Sequence, residues 1–191
     1  MKKIFFLLIL FSLQCTAQSN IVPLTECNKI YNHADGSAYF KDTNNEMDKY
    51  VGTWKWAQGN KEFILTLIKQ IKHHYHQTGN DNYYEDRLIG YYQVKENGNI
   101  IADTAADNLS NDFGAKVMFT LICDNIIQSI SFNDYLKGGV KFDAILEKLS
   151  PTQMKFKAKL SADAYTEPNP GEIVYYGTGS TFPLDVVLTK Q

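Results

Sequence analysis

From residue 50 onward the chain is written largely in a two-residue period, and that period most limits what it can fold into. In Phe63, Leu65, Leu67, Ile71 and Tyr75 the odd positions are apolar, while Thr66, Gln70, Lys72, His74 and His76 form a polar opposite set. A strand sends successive side chains to opposite faces, so this alternation predicts one long two-faced strand. Val117, Phe119, Leu121 and Cys123 repeat the pattern, as do Met154, Phe156, Ala158 and Leu160 against Lys155, Lys157 and Lys159. Aromatic residues make up 13% of the chain, with 12 Tyr and 11 Phe, a bias toward pleated, half-buried surfaces.

Turn residues divide this pattern into segments. Residues 87–95 and 99–105 flank Asn97-Gly98, a dipeptide that tolerates positive φ and so favours a two-residue hairpin turn. Residues 116–124 and 126–132 meet at Asp124-Asn125, and residues 140–149 reach 154–161 through Ser150-Pro151-Thr152-Gln153. Phe142, Ile145, Leu146 and Leu149 also fit a short amphipathic helix, with strand the preferred reading. Residues 77–86 and 163–181 read as loops, the second with two prolines and three glycines, and 182–190 closes the chain as a strand. Residues 18–49 are polar and turn-rich and read as a leader wrapping a domain over 50–191. The expectation is all-β: about 8–9 strands in up-and-down order, closed into a barrel because closure removes exposed edges.

The first residues read as an address. Met1-Lys2-Lys3 is a positive start, residues 4–13 are an apolar run too short to span a bilayer, and Cys15-Thr16-Ala17 supplies small residues before Gln18. This pattern predicts a signal peptide over 1–17 and a periplasmic or secreted mature chain without a transmembrane segment. The alternative is a lipid anchor on Cys15, against which Gln14 is bulky for the preceding position. Export leaves Cys27 and Cys123, a pair that could form one disulfide; otherwise Cys123 is a small buried hydrophobe.

Charge and motif content exclude several function classes. The 19 Lys+Arg against 21 Asp+Glu leave no basic excess for a phosphate backbone, and Arg87 is the single arginine. Nucleic acid is not an expected partner. The chain lacks a nucleophile elbow, a phosphate-binding glycine loop, a dinucleotide fingerprint and zinc-ligand spacing, so neither an enzyme nor a cofactor is predicted.

One motif carries a resemblance. Asp48-Lys49-Tyr50-Val51-Gly52-Thr53-Trp54-Lys55 resembles the Gly-x-Trp opening of the first strand of lipocalins and other calycins. The resemblance implies that Gly52 permits close packing and that Trp54 plugs the closed end of a barrel. Asn133-Asp134-Tyr135 faintly resembles a second lipocalin block, but Lys190 stands where that family places an arginine over the tryptophan. Through residues 39–54 and 182–190 the whole chain is similar to an uncharacterised family of secreted, lipocalin-like bacterial proteins. That likeness implies fold and export and carries no chemistry.

Candidate site residues follow from face and spacing. His74 and His76 project from one side of a strand, as two imidazole ligands of a divalent ion would, and Asp81, Glu85 or Asp86 would have to complete the set. His73 falls on the apolar side. Asp81, Glu85, Asp86, Asp107 and Asp112 lie in polar, loop-like runs, the usual home of solvated charge, and Ser129 and Ser131 have no positioned base. The lysine stripe 155, 157, 159 reads as a solvent face. Trp56 with Tyr91 and Tyr92 could line a cavity that holds a small apolar or amphipathic ligand, with Trp54 structural. The leading expectation is an exported, non-enzymatic barrel that binds such a ligand. The alternative is an interaction or inhibitor module acting through the loops at 77–86 and 163–181.

Overall fold

The computed structural model describes residues 20–26, 32–77, 81–112, 115–122, 126–162 and 179–191. The predicted signal segment, Cys15, Cys27, Cys123 and residues 163–178 lie outside them. The strands are β1 (Asn20–Pro23), β2 (Ala38–Lys41), β3 (Gly52–Gln58), β4 (Lys61–Gln77), β5 (Asp81–Glu96), β6 (Asn99–Asp103), β7 (Val117–Ile122), β8 (Ile126–Asp134), β9 (Val140–Ser150), β10 (Gln153–Leu160) and β11 (Asp185–Lys190). Short 3-10 turns at Glu46–Tyr50 and Tyr135–Lys137 supply helical content. Residues 140–150 are strand, so the helical alternative for Phe142–Leu149 falls.

Eight strands close an antiparallel barrel in the order β5-β4-β3-β11-β10-β9-β8-β7, with β7 returning to β5 through Leu88↔Phe119 and Gly90↔Val117. The closure needs a glycine. A Cβ at Gly90 would fall 1.9 Å from the Thr66 carbonyl oxygen, so any side chain there would push β5 off β4. The long β5 also carries β6 antiparallel on its C-terminal half and β2 parallel on its N-terminal half, with β1 parallel beyond β2. Residues 18–49 thus contribute two strands to the sheet. The hairpin at Asn97-Gly98 forms with both residues at positive φ, 53° and 77°.

Phe63, Leu65, Leu67, Val117, Phe119, Leu121, Met154 and Phe156 all point into one core, as their alternation predicts. One strand departs from its pattern. Between Gln70 and His73 the β4–β5 register slips by a residue, with Lys72 at φ 53°. A bulge of one residue reverses which face each later side chain uses. Ile71 is therefore 71% exposed instead of buried, and His73 and Tyr75 lie on the outer face with Gln70 and Arg87.

The N-terminal half of β5 corrects a second expectation. Residues 81–86 are strand, not loop, and Glu85 and Asp86 are buried rather than solvated. Asp86 accepts hydrogen bonds from the Tyr39 hydroxyl (2.7 Å), the Lys72 N–H (2.8 Å) and the Asp42 N–H (3.0 Å), locking β2 and the bulge to β5. Arg87, 0% exposed, donates to Gln70 Oε1 and to the carbonyls of Leu109, Asn111 and Asp112. It staples the β6–β7 connection over the outer face of the barrel. The single arginine is a structural post.

Candidate functional site

The two ends of the barrel are sealed differently. At one end the Glu46–Tyr50 turn tucks Met47 and Tyr50 beneath the core, held by the Asp42 carboxylate, which accepts the N–H groups of Glu46 (2.8 Å) and Met47 (2.9 Å). Trp54 is fully buried there, its indole N–H donating to the Tyr50 carbonyl at 2.7 Å. The ammonium groups of Lys148 and Lys190 lie 3.9 and 5.3 Å from its ring centre. Burial lowers the Lys148 pKa, and nearby Lys190 and Lys49 lower it further. Lys148 is the nearer of the two cations, and Lys190 lies beside it. Gly52 leaves room for it, since a Cβ at that residue would meet Lys190 Cε at 3.0 Å.

At the other end, where β3 turns into β4 and β5 into β6, the segment 179–184 crosses the mouth and drops Phe182 inside. Its ring centre lies 5.0 Å from Phe132, 5.1 Å from Phe142 and 5.6 Å from Tyr92. With Phe63, Phe119 and Phe156 these rings fill the interior. Outside Phe182 a cavity of about 230 Å³ remains, walled by Trp56, Val94, Phe182 and Pro183 and edged by Lys61, Glu62, Ser180 and Thr181. Its polar edge is partly committed. Lys55 bonds the Glu62 carboxylate at 2.9 Å and holds its pKa below the ordinary value, whereas Lys61 reaches Glu96 only at 3.7 Å.

A family model matches residues 1–191. The chain belongs to DUF6705, a family of unknown function. No curated protein and no solved structure matches it. The eight-strand antiparallel barrel of this DUF6705 chain is compatible with a lipocalin-like fold.

In the DUF6705 barrel the three candidate ligand residues part company. Trp56 lines the cavity. Tyr92 lies deeper, beneath Phe182, with its hydroxyl donating to the Asn133 carbonyl (3.1 Å) and accepting the Tyr135 N–H (2.8 Å). Tyr91, next to it on one strand, faces outward, because neighbouring strand residues cannot share a cavity. His74 and His76 are exposed with ring centres 5.5 Å apart, and His74 Nε2 already bonds Asn82 Oδ1 at 2.8 Å. Among the described residues no set of three His, Cys, Asp or Glu converges to hold a metal.

The remaining polar candidates are structural. The Ser129 hydroxyl accepts the Ala144 N–H and the Ser131 hydroxyl donates to the Ala115 carbonyl. Asp107 receives Lys116, and Lys155 and Lys157 pair with Asp185 and Glu147. His73 Nε2 lies 2.9 Å from Asp112 Oδ1. Burial and the Arg87 charge lower the His73 pKa, against the pull of Asp112. Sequence reasoning missed Phe182 and Thr181 as site residues; the aromatic between Thr181 and Pro183 was the only signal, and it read as the start of a strand.

Proposed function

We propose that this barrel is an exported, non-enzymatic binding protein for a small amphipathic molecule carrying one ring, held at the mouth against Trp56. The cavity between Trp56 and Phe182 carries this reading. Its volume favours a small ligand: a cavity of roughly 150 Å³ accepts a benzene, whereas pockets for drug-sized ligands measure roughly 300–1,000 Å³. At about 230 Å³ it suits one substituted ring and is too small for a fatty acyl chain. Apolar walls with a polar rim suit a molecule with one dry and one wet end. Export rests on Met1-Lys2-Lys3 and the apolar run to residue 13. The non-enzymatic reading rests on the lining, where the titratable groups among the described residues, Lys61 and Glu62, stand at the rim and pair away from the cavity, Glu62 with Lys55 and Lys61 toward Glu96.

The two tryptophans make the test direct. In a titration with p-cresol, phenylacetate and decanoate followed by NMR of the two indole N–H signals, a one-ring ligand should move Trp56 and leave Trp54 still. For a ligand of this size a Kd on the order of 0.1–1 mM is expected. No movement of Trp56 up to the solubility limit of any of the three would sink the reading, and tighter binding of decanoate would overturn the size argument.

A further inference from the structure

The rings that touch Phe182, namely Phe63, Tyr92, Phe132, Phe142 and Phe156, are each carried by a strand of the barrel. Phe182 is not. It hangs on the segment between Gly179, at φ 78°, and Asp185, where β11 begins. Among the described residues, three bonds tie that segment to the barrel. Thr181 donates its N–H to Asp134 Oδ2 (2.6 Å) and its hydroxyl to Asp134 Oδ1 (2.7 Å), and the Leu184 carbonyl accepts the Ala158 N–H (2.7 Å). Asp134 is 0% exposed, so its carboxylate sits beneath the segment, out of water.

We infer that Phe182 holds the place of a ligand's ring, and that the ligand is a one-ring hydrogen-bond donor, a phenol or an aromatic amine, which exchanges with it. This rests on the mouth of the barrel being the binding site. Part of the cost of the exchange is recovered by construction. A ligand ring entering the aromatic cluster remakes the contacts that Phe182 gives up, so the opposing cost is the Thr181 tether and the exposure of one phenylalanine. The cavity already open on the outer side of Phe182 gives the incoming ring a first resting place against Trp56. Asp134 then selects the chemistry. Once Thr181 leaves, the carboxylate keeps the Leu136 N–H (3.2 Å) but has lost two of its three donors, and the freed oxygens favour a new one. A phenolic O–H or an aromatic amine N–H repairs it; a carboxylate-bearing ring is repelled.

The test places 4-fluorophenylalanine at position 182 of the otherwise unaltered chain and reads its fluorine signal alongside the Trp56 indole during p-cresol titration. Exchange predicts that saturation moves the fluorine from a buried environment to one sensitive to replacement of H2O by D2O, and that phenylacetate does not do this. A Trp56 response with the fluorine still buried would leave the mouth as a site and overturn the exchange. Silence at both positions would remove both. Thr181→Val, which cuts one tether bond, should bind p-cresol severalfold more tightly, whereas a purely structural Thr181 would leave that affinity unchanged.

Discussion

The inside of the barrel and the outer face of the β4–β5 ribbon are buried to similar depth by opposite means. Inside, Phe63, Phe119, Phe132, Phe156 and Leu188 pack without charge, and Tyr92 and Trp54 satisfy their polar atoms on the backbone. Outside, the buried charged groups are Glu85 and Arg87, with His73 and Tyr75 beside them, while Asp86 faces the other side of β5, toward Tyr39. Apolar burial is non-directional and tolerates changes in pH. The ribbon's burial depends on every donor finding its acceptor, since an unpaired charge there costs several kcal/mol. The interior should therefore respond to lost volume, and the ribbon to lost partners and to pH.

The largest effect should come from the interior. Phe132 is fully buried against Phe119, Tyr92, Phe156 and Phe182, so Phe132→Ala removes its transfer energy and leaves a cavity, about 4 kcal/mol in all. Thermal melting should register this as a loss of roughly 8–16 °C, equal at pH 5 and pH 8. A pH-dependent loss would break the contrast. On the ribbon, Arg87→Met strands the carbonyls of Leu109, Asn111 and Asp112 and should cost about 3 kcal/mol, at the low end for a broken buried charge network because those carbonyls can turn to water. Amide exchange should accelerate over residues 107–112 and stay slow in β10; uniform acceleration would mean that Arg87 supports the whole barrel.

The same contrast explains what could be read in the sequence. The interior was legible because alternation reports a face directly: residues 63, 65 and 67 of β4 and 154 and 156 of β10 went where their period sends them. The ribbon was not legible, because one extra residue at Ile71-Lys72 reverses the faces beyond it, and a bulge leaves no mark in hydropathy. Nor does composition announce that Glu85 and Asp86 will be covered: both acids sit among polar neighbours, and their partners, Thr120 of β7 for Glu85 and Tyr39 and Asp42 for Asp86, are remote in sequence. Tyr83 and Tyr84 did carry a strand signal that the surrounding charges hid. At the mouth Trp56 was found because it shares a face with Trp54, whereas Phe182 plugs the barrel from outside any strand, where no period applies.

The smallest effect is the most diagnostic, because its size depends on pH. Burial raises the Glu85 pKa, opposed by hydrogen bonds from Thr120 and Tyr75 and by the Arg87 charge. A carboxyl whose folded pKa lies above its ordinary value near 4.5 contributes fully below that value, and its contribution is lost as pH rises through the folded pKa. Glu85→Gln keeps an acceptor for Thr120 and removes the buried charge, so it should raise the melting temperature at pH 8, with the gain shrinking toward pH 5. His73 works the other way. Its lowered pKa makes its contribution full above about 6.5 and lost as pH falls through the folded value, so the acid-side decline should persist in the Glu85→Gln variant. Melting curves of wild type and variant at pH 5, 6, 7 and 8 separate the two groups. A Glu85→Gln gain that stayed constant across the series would mean that the carboxyl does not titrate in the fold, and the ribbon would then differ from the interior in its hydrogen bonds alone.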